Sequence, residues 1–158
     1  MEIRKAHISE TKEIQNIISE FASRGEMLPR SLGELYKHIR DYFVCIDDDG
    51  TIAGVCALHI MWSNLAEIRS LAVHDGYSGQ GVGSQLMKAC LEEARKIGIG
   101  MVFALTYRPG FFERFNFKVA DKSTLPQKIW TDCLKCSKFP DCDETAVIYE
   151  MKRAEADA

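Results

Sequence analysis

The stretch AVHDGYSGQGVGSQLMKACLEEARKIG, from Ala72 to Gly98, restricts the fold more than any other part of the chain. It leaves an apolar segment, passes through four glycines and enters an amphipathic helical pattern. Glycines ahead of a helix let a ligand approach the backbone closely, and phosphate is the usual ligand there. A nucleotide P-loop would need GxxxxGK[ST]. Gly76 and Gly81 have that spacing, but Val82 and Gly83 stand where Lys and Ser or Thr are required. A dinucleotide fingerprint would need GxGxxG in the first βα unit, whereas Gly79, Gly81 and Gly83 are spaced GxGxG and follow three earlier strands. What remains is strand, bend, GxGxG and helix. The N–H groups of Gly79, Gln80, Gly81, Val82, Gly83 and Ser84 are expected to face one spot, backed by the helix dipole, in a cradle suited to a pyrophosphate.

The rest of the chain supplies a sheet for that turn to sit on. At 158 residues, a single domain is expected, with an ordered core over 1–153 and a tail over 154–158. EIRKAHI opens as a strand. Ile14, Ile17, Ile18 and Phe21 follow the i, i+3, i+4, i+7 rule of a one-sided helix that stops at Gly25. Ser31 and Glu34 have capping-box spacing and start a second helix carrying Leu35, Tyr36 and Ile39. YFVCI and TIAGVCALHI read as a hairpin turning at Asp47 to Gly50. AEIRSLAV is a further strand, with Glu67, Arg69, Leu71 and Val73 on one face and Ile68, Ser70 and Ala72 on the other.

Beyond the glycines, the helix turns Val82, Leu86, Cys90, Ala94 and Ile97 inward and ends at Gly98. MVFALTY reads as a strand covered on both faces. Pro109 and Gly110 break it, FFERF forms a short helix, and FKVA and TAVIYEM close the chain as strands. The class is α/β (α+β), a mixed central sheet flanked by helices.

Composition removes several functions. The formal net charge of −3 leaves no basic surplus for a nucleic-acid backbone. No apolar run approaches the roughly 20 residues that span a bilayer, and the charged opening MEIRKAHISETKEI is unlike a secretory signal. A cytoplasmic protein with small-molecule partners is expected; a homodimer is compatible with the sequence.

The segment SGQGVG resembles the signature [QR]xxGx[GA] of the GNAT superfamily of acyl-CoA-dependent N-acetyltransferases, and the element order along nearly the whole chain is similar to that of the family. One departure is Ser78, where the family has Gln or Arg; it removes a side-chain contact to phosphate and leaves the backbone donors. The resemblance implies acetyl-CoA as co-substrate and a GNAT acyl-CoA N-acyltransferase fold. It implies pairing of the pantetheine arm with the backbone at Leu71, Ala72 and Val73, and a thioester lying beside Glu67 and Arg69. The attacking amine must be neutral, so Glu67 is the expected general base, directly or through a water. Many members carry a tyrosine as general acid on the short helix, in the pattern Tyr, three residues, Gly, Phe. Here Phe112 holds the tyrosine position and Asn116 the glycine position. A thiol with a pKa near ~8.5 leaves as thiolate without full protonation, so water suffices.

LPRSLGELYKHIRDYFV, AEIRSLAV and LPQKIW further resemble the acetyltransferase domain of N-acetylglutamate synthases in their short bacterial form. That resemblance implies L-glutamate as acceptor, arginine biosynthesis as setting, and carboxylate binding by Arg30, Arg69 and Lys128. Guanidinium groups suit that task because they bind carboxylates in bidentate fashion. Two alternatives stay open: a GNAT enzyme acting on a protein or other small amine, and a non-catalytic module that binds CoA or senses a metal.

Cys133, Cys136 and Cys142 form CxxC plus a third cysteine, compatible with a structural metal, a redox pair or packing thiols; no metal ligand is assigned. Cys45, Cys56 and Cys90 are expected as buried free thiols, and His59 and His74 as structural histidines.

Overall fold

A computed structural model describes residues 1–125 and 143–151. The strands are β1 (Glu2–Lys5), β2 (Tyr42–Ile46), β3 (Ile52–Trp62), β4 (Leu65–Val73), β5 (Met101–Thr106), β6 (Lys118–Ala120) and β7 (Thr145–Glu150). The α-helices are α1 (Thr11–Ser23), α2 (Leu32–Lys37), α3 (Val82–Ile97) and α4 (Pro109–Glu113). Among the described residues the strands form one sheet in the order β1-β2-β3-β4-β5-β7-β6. The β4–β5 pair is parallel, whereas β1–β2, β2–β3, β5–β7 and β6–β7 are antiparallel, so the sheet is mixed as expected. No described helix is long and apolar enough to cross a membrane.

Contacts group the chain into two compact units, Met1–His59 with Ile68–Glu93, and Ile60–Glu67 with Ala94–Ala158. In the first, Ile14, Ile17 and Ile18 of α1 and Leu35 of α2 pack with Tyr42, Val44, Val55 and Ala57 of the β2–β3 hairpin. Alternate β3 residues face α3: a Cβ on Gly54 would lie 3.0 Å from the Ala72 carbonyl and 3.0 Å from Val82 Cγ1. Only glycine lets β4 and the first turn of α3 come so close to β3. Gly54→Val is expected to cost about 2–3 kcal/mol by overpacking and to lower the thermal midpoint. An unchanged denaturation curve would contradict the reading.

In the second unit, Leu65, Phe103, Leu125 and Ala146 make a small core joined by Met61, Met101, Leu105 and Ile148. Phe112 and Phe117 stack edge-on at 5.2 Å, and Phe117 meets Tyr149 at 5.4 Å.

Several boundaries and faces differ from the sequence reading. β1 stops at Lys5, because His7 turns the chain into a short 3-10 segment over Ile8–Glu10. α2 ends at Lys37, so Ile39 is buried from a separate 3-10 turn, and Tyr36 is exposed. β3 runs two residues further, to Trp62. Ile97 is 48 % exposed and does not join the inward face of α3, while Val82, Leu86, Cys90 and Ala94 do. Full burial in β5 is confined to Val102, Phe103 and Ala104. α4 begins at Pro109 instead of being preceded by it, since proline lacks only an N–H that the first helical position does not use.

The most consequential difference is Ser70, whose φ of 56° is left-handed in the middle of β4. A left-handed residue interrupts the pleat, so the alternation assigned to AEIRSLAV does not run unbroken from Glu67 to Val73. The β4–β5 register is formed at Leu65, Ala66 and Glu67, before that interruption.

Candidate active site

Two features sit in the first compact unit: a glycine loop at the start of α3, and a depression beside α2. The loop is pinned at its base. His74 N donates to the Ala53 carbonyl at 2.9 Å, which ties the end of β4 to β3. Arg24 bridges Glu20 at 2.9 Å and Asp75 at 2.8 Å, and this hydrogen bond holds the Asp75 carboxyl below the usual range. The Tyr77 hydroxyl donates to Asp47 Oδ2 at 2.6 Å, which pushes its pKa up to about 12.

Above these anchors Gly79 and Gly81 adopt φ of 78° and 79°, a conformation that costs an L-residue about 1–2 kcal/mol. α3 then begins at Val82, which is buried, and its first bond runs from Gln85 N to the Gly81 carbonyl at 3.0 Å. The main-chain N–H groups of Val82, Gly83 and Ser84 belong to the first turn of α3, beyond the reach of any carbonyl of the helix itself, and those of Gly79, Gln80 and Gly81 lie in the turn that leads into it. Donors left open at a helix start are what an anion requires.

The depression is lined by Arg30, Glu34, Leu35, His38, Asp41, Tyr42, Ala57, His59 and Arg69. Arg30 lies just before α2; its guanidinium faces Glu34 at 3.6 Å, and its carbonyl accepts from Gln15 Nε2 at 3.2 Å. Arg69 comes from β4, one residue before the left-handed Ser70. Tyr42 forms a buried wall and donates to Ser70 Oγ at 3.3 Å. Burial pushes the Tyr42 pKa up, partly offset by the Ser70 bond and by the charges of Arg30 and Arg69. Its hydroxyl therefore stays protonated at neutral pH. Two guanidiniums and a neutral phenol in one concavity suit a carboxylate-bearing ligand.

Arg30 and Arg69 are thus brought together. Glu67 stands two positions before Arg69 on β4, opposite Phe103 in the β5 register, and is partly buried. Of the three β4 residues expected to meet the pantetheine arm, Ala72 is buried while Leu71 and Val73 are partly so. Phe112 is 5 % exposed and packs among aromatic rings. Asn116 has φ of 70°, a conformation that asparagine tolerates better than most residues, which explains how it replaces a glycine. Lys128 and the cysteines Cys133, Cys136 and Cys142 lie outside the described residues.

Cys45, Cys56 and Cys90 are free and buried. Burial raises the Cys45 pKa, whereas for Cys56 the hydrogen bond with Cys90 leads and burial adds to it. Neither Cys45 nor Cys56 is an activated nucleophile.

The sequence alone does not mark Glu34, His38, Asp41 and Tyr42 as site residues, and His59 reads there as structural; the structure sets all five around the depression. A signal was present in the hairpin. Its register sets Tyr42 opposite Ala57, so Asp41 and His59 fall at the same end of the ladder.

The family model "Acetyltransferase (GNAT) family" matches residues 11–117. An uncharacterized N-acetyltransferase of Chlorobaculum tepidum is 39% identical over 149 residues, which cover 94% of this chain and 96% of that protein. An amino-acid acetyltransferase of Mycobacterium tuberculosis is 29% identical over 132 residues, 82% of this chain and 75% of that one. Among solved structures, N-acetylglutamate synthase from Neisseria gonorrhoeae, complexed with coenzyme A and N-acetyl-glutamate, superposes with a TM-score of 0.87 at 27% identity. That match covers 96% of this chain and 35% of the larger protein. The glycine loop, the mixed sheet and the extent of the family match agree: this chain belongs to the GNAT family of acetyltransferases.

Proposed function

We propose that the protein transfers the acetyl group of acetyl-CoA to the α-amine of L-glutamate, making N-acetyl-L-glutamate for arginine biosynthesis in the cytoplasm. The main-chain N–H groups from Gly79 to Ser84 hold the pyrophosphate of CoA, and the backbone of Leu71, Ala72 and Val73 pairs with its pantetheine arm. Arg30, Arg69 and Lys128 bind the two carboxylates of the acceptor. Glu67 takes a proton from the ammonium, directly or through a water. The amine nitrogen then attacks the thioester carbonyl, the C–S bond breaks, CoA leaves as thiolate, and the second proton of the nitrogen passes through water to the thiolate. Phe112 supplies no proton, and a thiolate needs none in order to leave.

The observation that carries the acceptor assignment is the meeting of Arg30 and Arg69 in one depression against the protonated Tyr42 hydroxyl. The amino-acid acetyltransferase relatives and the N-acetyl-glutamate complex of the Neisseria enzyme support it. A thiol-release assay with acetyl-CoA over a panel of amino acids, including glutamate and glutamine, tests the proposal. Glutamate is expected to be turned over best; release with none of the panel would refute an amino-acid acceptor.

The cofactor half has its own test. Gly81→Val forces a β-branched residue to φ near 79° and places a side chain where the pyrophosphate approaches. Strain of about 1–2 kcal/mol leads to an expected loss of roughly tenfold in CoA affinity, read by calorimetry. Unchanged affinity would remove the loop from the CoA site.

A further inference from the structure

His38, Asp41 and His59 meet at one end of the β2–β3 hairpin for reasons visible in the backbone. His38 caps the 3-10 turn Ile39–Asp41 and Asp41 ends it, and in such a turn side chains three apart lie one above the other. His59 follows Ala57 by two residues on β3, and Ala57 pairs with Tyr42, the residue after Asp41. Asp41 Oδ2 accepts from His59 Nδ1 at 2.7 Å, and His38 Nδ1 lies 3.9 Å from the same oxygen. The two rings meet edge-on at 5.0 Å.

A hydrogen bond between Asp41 and His59 accounts for one of these approaches. The second imidazole nitrogen approaches the same oxygen at ion-pair distance, beyond hydrogen-bond reach, so both rings converge on one carboxylate.

We propose that His38 Nδ1, Asp41 Oδ2 and His59 Nδ1 form a binding site for a divalent transition metal of the zinc class. One nitrogen or oxygen atom from each residue lies within 4.8 Å of the other two. Tetrahedral ligands at about 2.0–2.2 Å from zinc stand roughly 3.2–3.6 Å apart, and the two observed separations from Asp41 fall on either side of that range. The adjustment is small, because the His38 side chain is 50 % exposed and can swing inward. Two imidazoles and a carboxylate favour zinc, cobalt or nickel over magnesium or calcium, which prefer oxygen donors alone. Three protein ligands leave a fourth position open toward the depression lined by Arg30 and Arg69, where water or a carboxylate completes the shell. Arg30 is balanced there by Glu34, so the metal is not opposed by both guanidiniums. On binding, the proton that His59 shares with Asp41 leaves Nδ1 and the ring takes the Nε2–H tautomer, so Nδ1 is freed for the metal with no net release of a proton. The site opens onto the depression proposed for the acceptor, but metal binding can be read whichever amine the enzyme acetylates.

The test uses the full chain with Cys133, Cys136 and Cys142 changed to Ser, since those thiols are competing zinc-class donors. Calorimetric titration with Zn²⁺ is expected to show one equivalent bound, and Co²⁺ to give a visible spectrum without a thiolate charge-transfer band. Asp41→Asn and, separately, His38→Ala are expected to weaken Zn²⁺ binding by roughly 100-fold or more. The exposed His38 can be replaced without disturbing the core, so that arm stands if Asp41→Asn fails to fold. Absence of binding in the triple-serine protein, or binding indifferent to His38→Ala, would overturn the proposal.

Discussion

Glu67→Gln is expected to lower kcat for acetyl transfer by about 10²–10⁴-fold while leaving the affinity for CoA nearly unchanged. Glutamine keeps the size and hydrogen-bonding reach of the side chain but cannot accept the ammonium proton. Glu67 lies in the paired part of β4, opposite Phe103, so a neutral isostere should leave the strand intact and the thermal midpoint close to wild type. The proposed role also gives a rescue: raising the pH supplies free amine without a base, so the deficit should shrink at alkaline pH. A variant with wild-type kcat across pH would assign Glu67 to structure alone.

Arg69→Ala should raise KM for glutamate by roughly 10- to 150-fold, the equivalent of about 1.5–3 kcal/mol for a hydrogen bond to a charged group. The effect should exceed that of an exposed charge because Arg69 lines a concavity against the buried Tyr42. Arg69→Lys should recover only part of the loss, since an ammonium cannot reproduce a bidentate fork. KM for acetyl-CoA serves as the internal control and should move little. If the alanine variant loses both substrates equally, Arg69 acts through the shape of β4 beside Ser70 and does not recognise the acceptor.

Legibility in the sequence followed how local each cause is. The spacing of Ile14, Ile17 and Ile18 predicted the buried face of α1, because helical periodicity and burial are the same fact seen twice. Ser31 and Glu34 marked the start of α2, and the Ser31 side chain accepts from Glu34 N at 3.1 Å. Gly79 and Gly81 announced their left-handed backbone by being glycines.

Ser70 announced nothing. A serine forced to positive φ by its surroundings carries no local mark, and the strand pattern around it looks regular. Ile97 was misplaced because it occupies the last helical position, where little packs against the stripe. The depression was the hardest part to read. Its residues come from the end of a loop, from α2, from a 3-10 turn and from three strands, and only the hairpin register ties Asp41 to His59.

The central claim concerns the open N–H groups at the start of α3, and backbone NMR during titration with CoA tests it most directly. Downfield shifts are predicted for the amides of Gly79 through Ser84, saturating together and weakened when a CoA analogue lacking the pyrophosphate is used. Saturable CoA binding that leaves these six amides unmoved, or equal binding of the analogue, would contradict the account.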